Sequence, residues 1–547
     1  MKRIWKRLGA VLMTAAMALG MMTGAGAADD AVAAPFSKQA TVTVNGIANG
    51  DQLSAYQLVS YDESYNNYVF NSDFQAFVDG YSGLTGGKTE DRLEKCTNVT
   101  KLLEDYAAKV SEGNYQLPQN PVVADAAGNA ATVTLNPGYY LLLVTTNAAN
   151  SKVYQPMSVF AKVEGDKLIV YGGGDVAGQE NALTMDVKSQ DGPTIDKKVN
   201  ATQGEGEAIE WRTAAAAGVG ETAKFYVQVT IPKYQDITTM EMTLHDTMTA
   251  MEYKEGSLKV YTEGPDANGA FSADKLLGTE GAVTEEPGNY ADGQQTLTFT
   301  LNYSKIMGSD TTSKSIWIYY EATVKPEAAD GKNVHSAANA VYLSYNTAAG
   351  SYQTETKNTT VYNYEFKLNK RTGEQATSLA GAGFTLYNDE ACTEPISFVQ
   401  DGDHYRPAMS GETGAVQEIP ADFLIVGLDA NTYYVKETTT PRGFFQPESA
   451  FQLILKSNMV GQTHTGALEG SDCDFKELSD ADGNLVAQEV VDTARQWCFI
   501  VTLKNISTPL LPTTGGPGTV AISIAGVLLM ILGAALYMGY RKKRAQN

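Results

Sequence analysis

Three features of this sequence put reactive groups where they could do chemistry. The first is the pentapeptide Leu511-Pro512-Thr513-Thr514-Gly515, set just ahead of an apolar run from Thr519 to Tyr540. Pro512 fixes its own φ and keeps Leu511 extended, so the peptide is offered as a strand-like segment that another protein could grip. The second is Lys188, by residue type alone a solvated linker lysine, in Met185-Asp186-Val187-Lys188-Ser189 a few residues ahead of Pro193-Thr194-Ile195-Asp196-Lys197. The third is a plan shared by the two later regions, a lysine in the opening strand and an asparagine in the closing one, which amounts to a weak internal repeat. Ile195, Lys197 and Val199 share one strand face, which selects Lys197 over Lys198 as the inward amine. Further on, Phe366 and Leu368 share a face with Lys370.

Other chemistries lack their residues. The four His are scattered, without a His-Glu-x-x-His pair of zinc ligands. Gly87-Lys88-Thr89 lacks the earlier glycine of a phosphate loop, and Asp480-Ala481-Asp482-Gly483-Asn484 lacks the later glutamate of a calcium loop, so both read as turns. No nucleophile elbow is present. The expectation is a non-enzyme with no cofactor and no metal.

The elements that must position these groups are mainly strands. At 547 residues the chain is long enough for three or four domains with their own cores. Thirty tyrosines, Val/Thr-rich alternation and frequent Gly or Asn-Gly turns predict sandwiches of short strands. Residues 1–27 read as a signal peptide. Lys2, Arg3, Lys6 and Arg7 precede an apolar stretch, and Ala25-Gly26-Ala27 offers a small-x-small cleavage site. Residues 28–190 read as a sandwich with a helical insertion. Ala40–Val44 alternates like a strand, Phe74, Phe77 and Val78 then recur at helical spacing, as do Val99, Leu102, Leu103 and Tyr106, and strands return at Ala131–Leu135 and Gly138–Val144.

Residues 191–361 and 362–510 form the two similar regions, and 511–547 carry the pentapeptide, a transmembrane helix over 519–540 and the basic tail Arg541-Lys542-Lys543-Arg544. About twenty apolar residues suffice to cross a bilayer, and the cations hold the tail inside. Everything upstream is therefore expected outside the cell. Removing both ends takes the net charge from −22 to −30, which repels nucleic acid and anionic lipid. Of four cysteines, three (Cys392, Cys473 and Cys498) fall in the last region, allowing three pairings; Cys392–Cys473 is the one expected.

Pentapeptide, apolar span and basic tail together resemble the cell-wall sorting signal of Gram-positive surface proteins. The resemblance implies that a membrane transpeptidase, sortase, cuts between Thr514 and Gly515, holds the Thr514 carbonyl as a thioester, and passes it to an amine.

Leu379–Leu386 and Tyr433-Tyr434-Val435-Lys436-Glu437-Thr438-Thr439-Thr440-Pro441-Arg442-Gly443-Phe444 resemble the Cna B-type modules of the same surface proteins, the second stretch being similar to their E-box. In such modules a buried Lys, a buried acid and an Asn on the final strand form an isopeptide bond with loss of ammonia. The resemblance implies Lys367, Glu437 and Asn505. Carried to the preceding region, helped by Thr243-Leu244-His245-Asp246-Thr247, it implies Lys197, Asp246 and Asn339. For the later site alternation points to Lys370 and the family pattern to Lys367; the expectation follows the pattern. Each residue type has a physical reason. An apolar core drives Lys toward a neutral nucleophile and a carboxyl toward a protonated donor that can polarise the Asn carbonyl. Contact replaces a bimolecular encounter, worth roughly 7–11 kcal/mol of barrier. The first region has no strand lysine and carries Leu143 at the E-box position, so no such bond is expected there.

Taken whole, the chain resembles a sortase-assembled major (shaft) pilin of Gram-positive bacteria. Lys188 stands where such pilins carry a Val-Tyr-Pro-Lys-type segment, with Lys162, Lys167 and Lys198 as alternatives. The resemblance implies tandem immunoglobulin-like (Cna-type) β-sandwich domains and a covalent homopolymer of identical pilin subunits, Thr514 of one joined to Lys188 of the next. It also implies a pilus-specific class C sortase, a housekeeping sortase, minor pilins and peptidoglycan as partners. The competing expectation is a monomeric wall-anchored adhesin.

Overall fold

The computed structural model describes residues 38–505 and the helix Pro517–Arg544, apart from 63–66, 85–88, 90–91, 93–95, 97–98, 112–113, 148–151, 173–177, 201–209, 235–239, 279, 348–349, 373–376, 458–465, 471–472 and 479–484. The expected signal peptide and the pentapeptide Leu511–Gly515 lie outside the described residues. The chain is mainly β; apart from a two-stranded ladder of Lys152–Tyr154 with Ser189–Asp191, its described strands fall into three consecutive pairs of facing sheets, followed by one long helix.

In the first pair, Ala40–Asn45 alternates along its length, turning Ala40, Val42 and Val44 inward. It lies between Ala130–Leu135, antiparallel, and Ala182–Asp186, parallel. The facing sheet is centred on Gly138–Thr145, whose run of buried residues does not alternate with polar ones. Both of its faces are covered, which explains the continuous apolar run. Tyr140, Leu142 and Val144 meet the small sheet, whereas Tyr139, Leu141 and Leu143 lie in the core shared with two helices. Helix Ser72–Gly80 starts at Asn71, whose side-chain oxygen accepts the backbone N–H groups of Asp73 and Phe74. Phe74, Phe77 and Val78 form its buried face. The ring of Phe74 meets Tyr106 of helix Val99–Ser111 at 5.3 Å.

The second pair sets Thr194–Asn200, Thr222–Ile231, Lys314–Val324 and Met251–Tyr253 against a sheet ordered Ala214–Ala216, Lys357–Tyr362, Ser336–Thr347, Glu241–Thr249, Gln294–Asn302 and Val283–Pro287. In the third, Tyr364–Thr372 runs parallel to Cys498–Asn505, Glu365 opposite Cys498 and Thr372 opposite Asn505. That sheet faces Gly383–Tyr387, Thr432–Thr439, Phe451–Ile454 and Asp474–Glu477. First and last strands are thus neighbours in the third pair. In the second they lie in opposite sheets.

The pairs touch end to end. Tyr352 donates its hydroxyl to the Val144 carbonyl at 3.0 Å. Val219 N–H bonds the Gly427 carbonyl at 2.8 Å, and His335 stacks on Trp497 at 3.8 Å. Two carboxylates meet at this second junction. Glu221 accepts from Gly218 N–H and Asp429 from Ala430 N–H. Burial, with mutual repulsion at Asp429, pushes both above the usual carboxylate range.

One expectation fails here. Cys392 and Cys473 are both thiols. Cys392 sits half-exposed in the turn after Gly383–Tyr387 with φ +55°, while Cys473 is buried against the backbone of Lys456. Sequence spacing carries no information on the Cα separation that a disulfide requires.

The helix Pro517–Arg544 ends on Arg541, Lys542, Lys543 and Arg544. Its segment Ile522–Arg544 contains an 18-residue stretch of mean hydropathy 2.2 and is long and apolar enough to cross a membrane.

Candidate functional site

Two lysines are buried among the described residues, Lys197 and Lys370, each 1 % exposed. Such burial is rare for lysine without a partner. Each ammonium meets a buried carboxylate.

Lys197 is turned inward by the alternation of Thr194–Asn200, with Ile195 and Val199 beside it on the same face. Its Nζ lies 2.5 Å from Asp246 Oδ2, both side chains fully shielded from solvent. Asp246 comes from the facing sheet, on Glu241–Thr249. Register places Asp246 opposite Val341 and Met248 opposite Asn339, so Asp246 and Asn339 are diagonal neighbours on one face. Asn339 is 1 % exposed. The structure therefore brings Lys197, Asp246 and Asn339 together. It adds Tyr320, whose hydroxyl lies 2.7 Å from Lys197 Nζ and 2.5 Å from Asp246 Oδ2 and accepts from Asn339 Nδ2 at 3.1 Å. The ring of Phe225 lies 5.5 Å from the amine. Burial lowers the Lys197 pKa, opposed by the charge of Asp246, and burial holds the Tyr320 phenol well above its usual range. Asp246 Oδ1 and Asn339 Oδ1 are buried without hydrogen-bond partners.

The second site is built differently. Lys370 Nζ lies 2.7 Å from Glu437 Oε2, with side chains 1 % and 0 % exposed. Glu437 comes from the opposite sheet, on Thr432–Thr439, and Asn505 from the strand beside Lys370. Thr372 is opposite Asn505, so Lys370 and Asn505 are diagonal on one face. Asn505 is 4 % exposed, and its Nδ2, like Glu437 Oε1, lacks a partner. Burial again lowers the lysine, opposed by the glutamate. The ring of Phe384 lies 5.4 Å from the amine.

Lys367, expected at this site, is not in it. It sits between Phe366 and Leu368, both fully buried, so the pleat turns it to the opposite face, half-buried beside Leu424 and Ile500. Lys370 takes its place, as alternation indicated. Tyr320 was missed, although Ile316, Ile318 and Tyr320 share an inward face; alternation gave its side but not which residues it would face.

In the first pair of sheets the buried acid is Asp51, which accepts from the hydroxyls of Tyr154 and Thr146 and the N–H of Asn147. Leu143 faces the helices, and among the described residues no lysine is buried there.

Lys188 is exposed, between Ala182–Asp186 and Ser189–Asp191. Its carbonyl accepts Gln155 N–H at 2.9 Å, which fixes the backbone while the side chain faces solvent. Among the described residues no ion pair engages it. The alternatives are paired: Lys162 with Glu164 at 2.9 Å, Lys167 with Glu180 at 3.1 Å, Lys198 with Asp196 at 3.2 Å.

Residues 364–467 match the family model described as SpaA, prealbumin-like fold domain. No curated protein matches the sequence significantly. Among solved structures, the T6 backbone pilin of serotype M6 Streptococcus pyogenes is 14% identical, with 88% of this chain and 100% of that one covered and a TM-score of 0.48. The Corynebacterium diphtheriae major pilin SpaA is 13% identical over 85% of this chain and 99% of its own, TM-score 0.48; its structure is said to point to a modular pilus assembly stabilizing isopeptide bonds. The major pilin SpaD of the same organism is 14% identical over 88% and 100%, TM-score 0.43.

Proposed function

We propose that this chain is the shaft subunit of a covalent surface fibre, its second and third domains each tied internally by a lysine–asparagine isopeptide bond. The observation that carries the reading is the pair of dry sites in which Lys197 meets Asp246 beside Asn339, and Lys370 meets Glu437 beside Asn505. An ion pair so enclosed is a poor stabilising device, since desolvation offsets most of the attraction. As the ground state of an amide-forming reaction the same arrangement is productive. A proton moved from ammonium to carboxylate leaves a neutral nucleophile and an acid. In the second domain a protonated Asp246 would give the two unpartnered oxygens, its own Oδ1 and Asn339 Oδ1, a proton to share. Nζ then attacks the Asn Cγ, the Cγ–Nδ2 bond breaks, and ammonia leaves. In the first domain, Asp51 is engaged by hydroxyls and an amide N–H instead.

Between subunits the amine is Lys188, exposed and without an ion pair among the described residues, where Lys162, Lys167 and Lys198 are held in ion pairs. Sortase cuts after Thr514 and transfers it to Lys188 of the next copy, a head-to-tail contact that propagates into a fibre. The apolar helix holds the precursor at the membrane until transfer, and a housekeeping sortase joins the fibre base to peptidoglycan.

Boiled cell-wall extracts test the reading. A ladder of high-mass bands that disappears in Lys188→Ala is expected. A single band at monomer mass in the unaltered protein refutes polymerisation and favours the monomeric adhesin.

A further inference from the structure

The phenol of Tyr320 has no place in the lysine–acid–asparagine scheme, yet it touches all three members. It lies 2.7 Å from Lys197 Nζ, 2.5 Å from Asp246 Oδ2 and 3.1 Å from Asn339 Nδ2. A ring filling space in a sandwich core needs no hydroxyl, and a buried hydroxyl carries a desolvation cost that phenylalanine avoids. The ring that lies over Lys370, from the facing sheet, is a phenylalanine, Phe384.

We propose that Tyr320 is a catalytic residue of the second-domain site, a proton relay that carries a proton from the attacking lysine to the departing amide nitrogen. This rests on the isopeptide reading above and assigns its hardest step. Amide nitrogen is a poor leaving group because its lone pair is delocalised, and it departs only once protonated. In the ground state the planar Asn339 amide donates to the phenol oxygen. When Nζ adds to Cγ, the carbon becomes tetrahedral and Nδ2 recovers its lone pair, so the direction reverses and the phenol becomes the donor. Tyr320 gives its O–H proton to Nδ2 while taking one from Nζ, which acquires positive charge as the Nζ–Cγ bond forms. The Cγ–Nδ2 bond breaks, ammonia leaves with the relayed proton, and the phenol ends as it began. No oxidant, reductant or added water is needed. Asp246 remains free to hold the developing charge on Asn339 Oδ1, a division of labour that one carboxyl could not maintain while also serving the nitrogen.

The third domain is an internal control, because Glu437 and Lys370 work there beneath an aromatic ring with no proton to pass. The test follows ammonia loss in both domains of the full chain, made by cell-free synthesis into lipid nanodiscs, sampled over time and read as linked peptides by mass spectrometry. Tyr320→Phe is expected to slow the Lys197–Asn339 link by about 100-fold or more, in the range typical of positioned acid–base groups, while the Lys370–Asn505 link forms at the unaltered rate. Protease resistance of the second domain reports that the variant folds. Should it not fold, trifluorotyrosine at position 320 preserves the shape and lowers the phenol pKa, and a several-fold change in the rate of that link alone is expected. An unchanged rate in a folded Tyr320→Phe chain, or with the fluorinated phenol, overturns the relay and leaves the isopeptide reading standing. Absence of either link in the unaltered chain overturns the reading itself and the relay with it.

Discussion

Lys370→Met is the most direct test of which lysine serves the third domain. Lys370 and Asn505 stand near the two ends of that domain, so a bond between them closes a loop of more than a hundred residues, which in the chain-entropy treatment of disulfides is worth about 4–5 kcal/mol. In the linked protein the Lys370 nitrogen is a neutral amide, so the substitution removes that tie and not a standing ion pair with Glu437. The expected loss is therefore about 4–5 kcal/mol. At about 2–4 °C per kcal/mol for a domain of this size, the third-domain transition should fall by roughly 8–20 °C in a calorimetric scan of the full chain in detergent. Intact mass supplies the chemical half of the assay, the variant retaining one ammonia more than the unaltered protein. Lys367→Met, on the outer face, should keep the mass loss and change stability by only about 0.5 kcal/mol. The opposite pattern, with Lys367→Met abolishing the ammonia loss and Lys370→Met sparing it, would refute the assignment by strand geometry.

Two further predictions concern pH. Asn339→Ala keeps Lys197 as a free amine whose pKa burial has lowered, so the folded state binds fewer protons than the unfolded one between that lowered value and about 10.4. Its stability should therefore climb as pH rises through that window and decline as pH falls, whereas in the unaltered chain the same nitrogen, bound as an amide, contributes no slope; equal urea midpoints from pH 7 to 10 in the two proteins, relative to pH 7, would count against it. At the junction of the second and third domains, Glu221 and Asp429 have raised pKa values, so their penalty is absent in acid and grows as pH rises above the usual carboxylate range. Asp429→Asn should stabilise the junction by about 1–2 kcal/mol at neutral pH and by nothing near pH 3, read by proteolysis between the two domains.

Much of this molecule is legible from alternation alone. Ile195, Lys197 and Val199 announce an inward lysine, and Phe366, Leu368 and Lys370 announce another. At Lys367, where the family pattern and strand alternation disagree, alternation is the better guide, because one residue's slip along a strand moves a side chain to the other face. What stayed hidden depends on which sheet faces which. Tyr320 reaches Lys197 only because Lys314–Val324 lies in the same sheet, beyond Thr222–Ile231, and Asp246 reaches it from the sheet opposite. No local feature of the sequence encodes that meeting. The cysteine pairing failed for the same reason, being a question of distance between loops rather than of pattern.

The two proposed ties differ in where they leave the chain. In the third domain Asn505 is the last residue of the last strand, so a pull on both ends passes from Tyr364 through six residues to Lys370 and straight out. In the second domain the proposed bond joins Lys197 to Asn339, and the ribbon from Ala340 to Tyr362 lies beyond it, held without a covalent tie by backbone ladders, packing and side-chain hydrogen bonds such as that of Tyr352 to the Val144 carbonyl. Under load that ribbon is the slack in an otherwise inextensible line. It could peel away and reel back, giving each link a travel on the order of tens of ångströms while no covalent bond is asked to stretch.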